Sequence, residues 1–160
     1  ALSSKQGFSS PIVHNDRIFF TGGDASSREL YCHDLASGKQ LWSLKADNIA
    51  GSPATPPQVA GNTGYASATA ATDGKHVCAI FATGDIICSD FDGKRLWAKN
   101  LGIPENQYGF VSSLVVWGSS VFIQFDNNNM RKVVALDIAT GNVNVIYKRE
   151  DGNFGLIKTR

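Results

Sequence analysis

The chain has no excess of charge, no long apolar run and little cysteine, and each shortage removes a class of function. Fifteen basic against fourteen acidic residues leave a net charge of +1 in 160 residues. That balance carries no basic footprint for nucleic acid or for an anionic lipid surface. No apolar run approaches the ~20 residues that cross a bilayer as a helix. The first residues, Ala1-Leu2-Ser3-Ser4-Lys5, do not set a charged region before an apolar one, so any secretory leader is expected to be already removed or to lie outside these residues.

Catalytic and metal-ligating patterns are scarce too. His14, His33 and His76 are scattered without ligand spacing, which favours surface or turn roles over zinc. The run Asp126-Asn127-Asn128-Asn129 lacks the further carboxylates a calcium cage needs and reads as a hairpin turn. Ser9-Ser10 and Ser112-Ser113 have no partnered base in sequence, and Gly22-Gly23 is no phosphate-binding fingerprint. No catalytic residue, metal site or cofactor is therefore assigned from the residues.

What is present is an ordinary globular composition, 42% hydrophobic and 18% charged, with 16 regularly spaced glycines. The stretch Thr72–Trp97 shows how the glycines are used. An Asp73-Gly74 turn precedes the apolar run Val77–Phe81, Thr83-Gly84 separates it from Ile86–Cys88, and Asp92-Gly93 leads into a segment ending at Trp97. Turn dipeptides between β-branched and aromatic runs are hairpin chemistry, so the stretch predicts an antiparallel meander.

The same pattern recurs. Asp34, Gly38 and Trp42 are followed by Asp90, Gly93 and Trp97, then by Asp137, Gly141 and Val145, with the glycines 55 and 48 residues apart. A second anchor, Gly7-Phe8-Ser9-Ser10, returns as Gly64-Tyr65-Ala66-Ser67 and Gly109-Phe110-Val111-Ser112, at spacings of 57 and 45. These periods suit propeller blades. Four strands are predicted in each unit: 10–13, 17–21, 30–33 and 40–45; then 67–71, 76–81, 85–89 and 95–100; then 113–117, 121–125, 132–136 and 143–148. The middle strands are nearly continuous in apolar residues, which calls for cover on both faces. A helix over Arg131–Thr140, capped by Gly141, is the competing reading there, and the in-phase copies outweigh it.

With Ala135-x-Asp137-x-x-Thr140-Gly141 and Asp34-x-x-Ser37-Gly38-Lys39-x-x-Trp42 on the page, the chain resembles the pyrroloquinoline-quinone-like β-propeller superfamily. That superfamily includes quinoprotein alcohol dehydrogenases and the propeller lipoprotein of outer-membrane protein assembly. The resemblance implies an all-β fold of propeller blades, three four-stranded antiparallel meanders at about 8–46, 65–101 and 110–149. Residues 150–160 would be the start of a further unit or a tail. It also implies that Trp42 and Trp97 pack on the adjacent blade, a contact Val145 would make less well. Propellers close with about 4–8 blades, so the chain is expected to be an incomplete propeller, either a fragment or one whose copies meet edge to edge.

Cysteine and loop length finish the reading. Cys32 and Cys88 share a repeat position that the third unit fills with Ala135, as a small buried strand position would. A two-residue Thr83-Gly84 turn pairs position 78 with position 89, which sets Cys78 and Cys88 on opposite faces and excludes a bond; structural thiols are expected. Connections at one end of the units are short, whereas Asp47–Gly64, Gly102–Tyr108, Gly22–Glu29 and Asp126–Arg131 at the other are long. An elaborated loop face on a rigid scaffold is where binding is expected, unless Asp47–Gly64 is only a tolerated insertion.

Two functions are consistent with this. The favoured one is a non-catalytic binding or assembly scaffold, periplasmic or otherwise associated with a bacterial envelope, that engages a protein or glycan partner, or further blades, without nucleic acid or a membrane span. Arg28, Tyr65, Asn106, Gln107 and Tyr108 are its contact candidates, since aromatics and Arg are enriched at hot spots. For Tyr65 blade packing competes, because Phe8 and Phe110 share its position. The resemblance also implies the alternative, part of a dehydrogenase using pyrroloquinoline quinone and calcium, although the adjacent cysteines of such enzymes are missing.

Overall fold

The computed structural model describes residues 5–126, 131–150 and 153–157. Among these residues there are thirteen strands. They are β1 (Ile12–His14), β2 (Arg17–Gly23), β3 (Arg28–Asp34), β4 (Gln40–Lys45), β5 (Ala71–Thr72), β6 (His76–Ile80), β7 (Asp85–Asp90), β8 (Arg95–Asn100), β9 (Val115–Trp117), β10 (Ser120–Asp126), β11 (Arg131–Asp137), β12 (Val143–Glu150) and β13 (Asn153–Ile157). They form three antiparallel meanders in the orders β1-β2-β3-β4, β5-β6-β7-β8 and β9-β10-β11-β12-β13. No helix occurs among the described residues. The alternative helix over 131–140 is therefore replaced by β11. Residues 153–157 add a fifth strand to the outer edge of the third sheet, pairing with Ile146–Glu150.

Each third-to-fourth turn is built on its aspartate. In the first sheet Asp34 Oδ1 accepts from the Ser37 amide and hydroxyl, and in the third Asp137 Oδ1 accepts from the Thr140 amide at 2.9 Å and its hydroxyl at 2.8 Å. The second turn is a residue shorter, and Asp90 Oδ1 accepts from the amides of Asp92 and Lys94 instead. A carboxylate that satisfies two turn donors replaces the ladder bonds lost at the bend. For Asp34 the Ser37 hydroxyl and amide hold the carboxyl below the usual carboxylate range.

The three sheets pack face to face, and alternation along each strand divides the side chains between neighbours. Val77, Ala79 and Ile87 of the second sheet meet Phe19, Leu30 and Cys32 of the first. Cys78, Ile80, Ile86 and Cys88, from the opposite face, meet Val121, Ile123, Val134 and Leu136 of the third. This is why β6 and β7 are continuous in apolar residues: both of their faces are core. In β10 the burial alternates, with Val121, Ile123 and Phe125 buried and Gln124 and Asp126 exposed.

The outer strands lock neighbours together through tryptophan. Trp42 Nε1 donates to the Phe91 carbonyl of the next sheet at 2.8 Å, and Trp97 Nε1 donates to the Ile138 carbonyl at 2.8 Å. Each indole lies against the turn glycine. A Cβ on Gly93 would stand 2.7 Å from the Trp42 ring, and one on Gly141 2.6 Å from the Trp97 ring. Arg17 strengthens the first of these joints by donating to the same Phe91 carbonyl and pairing with Asp92 at 3.2 Å. All three sheets carry a bulge just before the tryptophan position, between Cys32 and His33, Cys88 and Ser89, and Ala135 and Leu136. Val145 occupies in the third sheet the register of Trp42 and Trp97, opposite Ala135.

The cysteine expectation is overturned. Phe81 N donates to Asp85 O at 3.0 Å and Gly84 N to Phe81 O at 2.9 Å, so the β6–β7 loop holds three residues, with Gly84 at φ 83°. One extra loop residue shifts the register and carries a whole strand's side chains to the other face. Cys78 then stands opposite Cys88, and the two form a disulfide with Cα atoms 4.1 Å apart. Cys32 remains a buried free thiol.

Two further expectations change. The inner segment 67–71 contributes only Ala71 to a strand; its Thr69 carbonyl is engaged sideways, accepting from Leu114 N at 3.1 Å, as the Ala66 carbonyl just before it accepts from Phe8 N at 3.0 Å. The first sheet's long loop 22–29 shrinks, since Gly22 and Gly23 pair with Glu29 and Arg28. The asparagines proposed as the β10–β11 turn lie outside the described residues.

Candidate functional site

The long connections gather at one end of the sheets. Residues 47–64 fold into hydrogen-bonded turns, with Thr63 N and Gly64 N both donating to Ala60 O. Tyr65 closes this loop by donating its hydroxyl to Pro57 O at 2.7 Å. The loop then leans on its counterpart, Ala60 N donating to Gln107 O at 2.8 Å. Gln107 thus joins the two loops through its backbone.

Beside that joint a cleft of about 260 Å³ opens between Pro104, Asn106, Tyr108, Phe110, Gln124 and Asp126. Asn106 is its organiser. Its amide nitrogen donates to Asp126 O at 3.1 Å, and its carbonyl accepts from Tyr108 N at 2.8 Å. Tyr108 is held at the mouth with 44% of its surface exposed. Gln124 donates to the Asp126 carboxylate at 2.6 Å, so the wall combines an acceptor, amides and an aromatic ring, a set that suits polar ligands with an apolar flank.

Tyr65 lines a separate cleft, again of about 260 Å³, with Phe8, Asp24 and Val59. It is half-buried and its hydroxyl is spent on Pro57, so packing accounts for much of its role. Asp24 shapes the opposite wall. Hydrogen bonds from the Ser26 hydroxyl and from Lys5 hold its carboxyl well below the usual carboxylate range.

Arg28 is placed elsewhere. It lines a third cleft of about 320 Å³ with Lys45, Asp47, Asn48 and Ser52, and its guanidinium faces the fully buried Asp85 at 3.8 Å. Asp85 accepts from Ser52 Oγ at 2.8 Å, Thr83 Oγ1 at 2.7 Å and Asn100 Nδ2 at 2.8 Å. These bonds tie the 47–64 loop to the second sheet. The five candidates therefore fall in three clefts: Asn106 and Tyr108 come together with Gln107 beside them, while Tyr65 and Arg28 stand apart. Asp24, Ser52 and Asp85 were missed from sequence. The one signal for Asp85 was a carboxylate directly after a turn and before an apolar run.

Among the described residues no three His, Cys, Asp or Glu side chains converge as a metal site, and the Cys78–Cys88 bridge is buried between the second and third sheets. Among the described residues, too, no helix is long and apolar enough to cross a membrane.

A family model described as outer membrane protein assembly factor BamB matches residues 2–153. No curated protein matches in sequence. Among solved structures, BamB from Moraxella catarrhalis is similar over 97% of this chain and 51% of its own, with TM-score 0.60 and 13% identity. The quinohemoprotein alcohol dehydrogenase from Comamonas testosteroni is similar over 96% of this chain and 23% of its own, with TM-score 0.68 and 16% identity. A europium-containing methanol dehydrogenase is similar over 91% and 25%, with TM-score 0.65 and 18% identity. At these identities the likeness is one of fold. The chain spans between about a quarter and a half of each of these proteins.

Proposed function

Because the chain belongs to the family described as outer membrane protein assembly factor BamB, we propose that it acts as a non-catalytic binding or assembly scaffold in a bacterial cell envelope. It engages a protein or glycan partner through the long-loop face. The observation that carries this reading is the Tyr108 cleft, where the Asn106 side chain holds the backbone of the half-exposed Tyr108 beside Gln124 and Asp126, on loops braced against each other. An aromatic carried on a held stretch of backbone loses less chain freedom on binding than one on a loose loop, which suits it as an anchor. Ile103 and Val111, both exposed, extend the apolar surface near it in sequence. The buried Cys78–Cys88 bridge supports an oxidising compartment such as the periplasm.

A photo-crosslinking residue placed at Tyr108, and separately at Lys75 on the short-turn end, tests the reading in envelope extracts. Crosslinks to one discrete partner are expected from position 108, and Asn106→Ala should weaken them about tenfold or more. Crosslinks concentrated at position 75 would assign binding to the other end. Stoichiometric quinone uptake with dye-linked alcohol oxidation by the full-length protein would replace the scaffold by the dehydrogenase.

A further inference from the structure

Arg28 is under-bonded where it stands. Its Nη1 donates to Ala25 O at 3.1 Å, its Nη2 stays 3.8 Å from Asp85 Oδ2, and its Nε is closed off from water without a partner. Asp85 is served without it, because Ser52, Thr83 and Asn100 supply that carboxylate with three donors. A guanidinium carries five N–H groups in a planar fork, and a buried donor left unpaired in a native fold calls for an explanation. Packing of the repeat does not provide one. Counted from the register of Trp42, Trp97 and Val145, the joint between the second and third sheets has Gly84 in the place of Arg28 and Lys132 in the place of Asp85.

The cleft that Arg28 lines has walls held in advance. Asp24 Oδ1 fixes the hairpin tip by accepting from the Ser26 and Ser27 amides at 2.7 and 2.9 Å, and Ala46 N donates to Arg28 O at 2.9 Å. The serine hydroxyls are spent on acids, Ser26 on Asp24, Ser27 on Glu29 and Ser52 on Asp85. Asp47 turns to Arg95, its Oδ1 3.5 Å from Nη1, and Lys45 stands opposite Glu29 in the ladder. Asn48 is different: it is exposed and has φ 53°, a conformation that is costly for a residue with a side chain and that gathers at ligand clamps.

We propose that this cleft binds a carboxylate, held by the Arg28 guanidinium with the Asn48 amide at its rim. The planar fork matches the two oxygens of a carboxylate. A single negative charge is what the surroundings tolerate, since Asp47 and Asp85 beside Arg28 would repel a phosphate dianion. The carboxylate comes from a small molecule, for which about 320 Å³ is room enough, or from an acidic side chain of a protein partner. Binding here asks nothing of the Tyr108 cleft.

Side-chain NMR of the unaltered chain tests it, following the Arg28 Nε–H and Asn48 amide resonances during titration with propionate and, separately, with the blocked tripeptide acetyl-Gly-Glu-Gly-amide. Saturable shifts of both resonances are expected; tighter binding of propionate would assign a small molecule, and tighter binding of the peptide a partner's acidic side chain. Arg28→Lys keeps the charge and loses the fork, and should weaken binding about tenfold or more. Asn48→Gly, which suits the left-handed backbone, should also weaken it while leaving the thermal midpoint unchanged or higher. If Arg28→Lys does not fold, Asn48→Gly decides by itself. Absence of saturation with both probes, equal shifts with propionamide or the Gln tripeptide, tighter binding of inorganic phosphate, or indifference to either substitution would each overturn the proposal.

Discussion

Trp42 of the first sheet lies flat against Gly93 of the second, so close that a single methyl group on Gly93 would stand 2.7 Å from the ring. The indole N–H meanwhile reaches the carbonyl two residues earlier in the same turn. Glycine is thus needed twice over, for the positive φ of 85° and for the ring's approach. The joint between sheets depends on a side chain that is absent.

Gly93→Ala is expected to destabilise by about 2–4 kcal/mol, combining left-handed backbone strain with overpacking. Gly38→Ala, with φ 68° but open space around it, should cost only the backbone part, about 1–2 kcal/mol. Urea denaturation of both variants separates the two terms. Equal losses would mean that ring docking contributes nothing.

Replacing both bridge cysteines, Cys78→Ala with Cys88→Ala, is expected to lower stability by about 2–3 kcal/mol, the chain-entropy value for a short loop; the two positions are 10 residues apart. A reducing agent should shift the denaturation midpoint of the unaltered protein and leave the double variant unmoved. Cys32 provides an internal contrast. Burial pushes its thiol up from the ordinary 9.0 to about 11, so the folded state favours the neutral form. That contribution is complete below pH 9 and fades as pH rises towards 11. Thiol reagents at pH 8 should therefore label Cys32 only after unfolding, and prompt labelling of the native protein would contradict its burial.

Asp85→Ala should cost about 3 kcal/mol or more, since it removes the carboxylate that faces the Arg28 guanidinium and the acceptor shared by Ser52, Thr83 and Asn100. Arg28→Met should cost less. The double variant is expected to fall short of the sum by about 1–3 kcal/mol, the range for residues in one network. Strict additivity would show that the 3.8 Å pair is not energetically coupled.

The residues by themselves determined the number of sheets, the place of most of their strands and the aspartate-built turns between the third and fourth. Alternation and turn chemistry are local, and the aspartate and glycine of each turn act on neighbours three or four positions away. The continuous apolar runs of β6 and β7 even required that a sheet lie on either side. Only the tertiary structure decided matters that hinge on a single residue of register or on a distant partner. One more residue in the Thr83-Gly84 loop brought Cys78 and Cys88 to the same face. A bulge in the outer strand aimed each tryptophan, and Arg28 came to face Asp85 in a cleft other than the one where Asn106 and Tyr108 meet. Local preferences are too nearly balanced to fix a one-residue slip, and a buried charge finds its partner only once the sheets have closed over it.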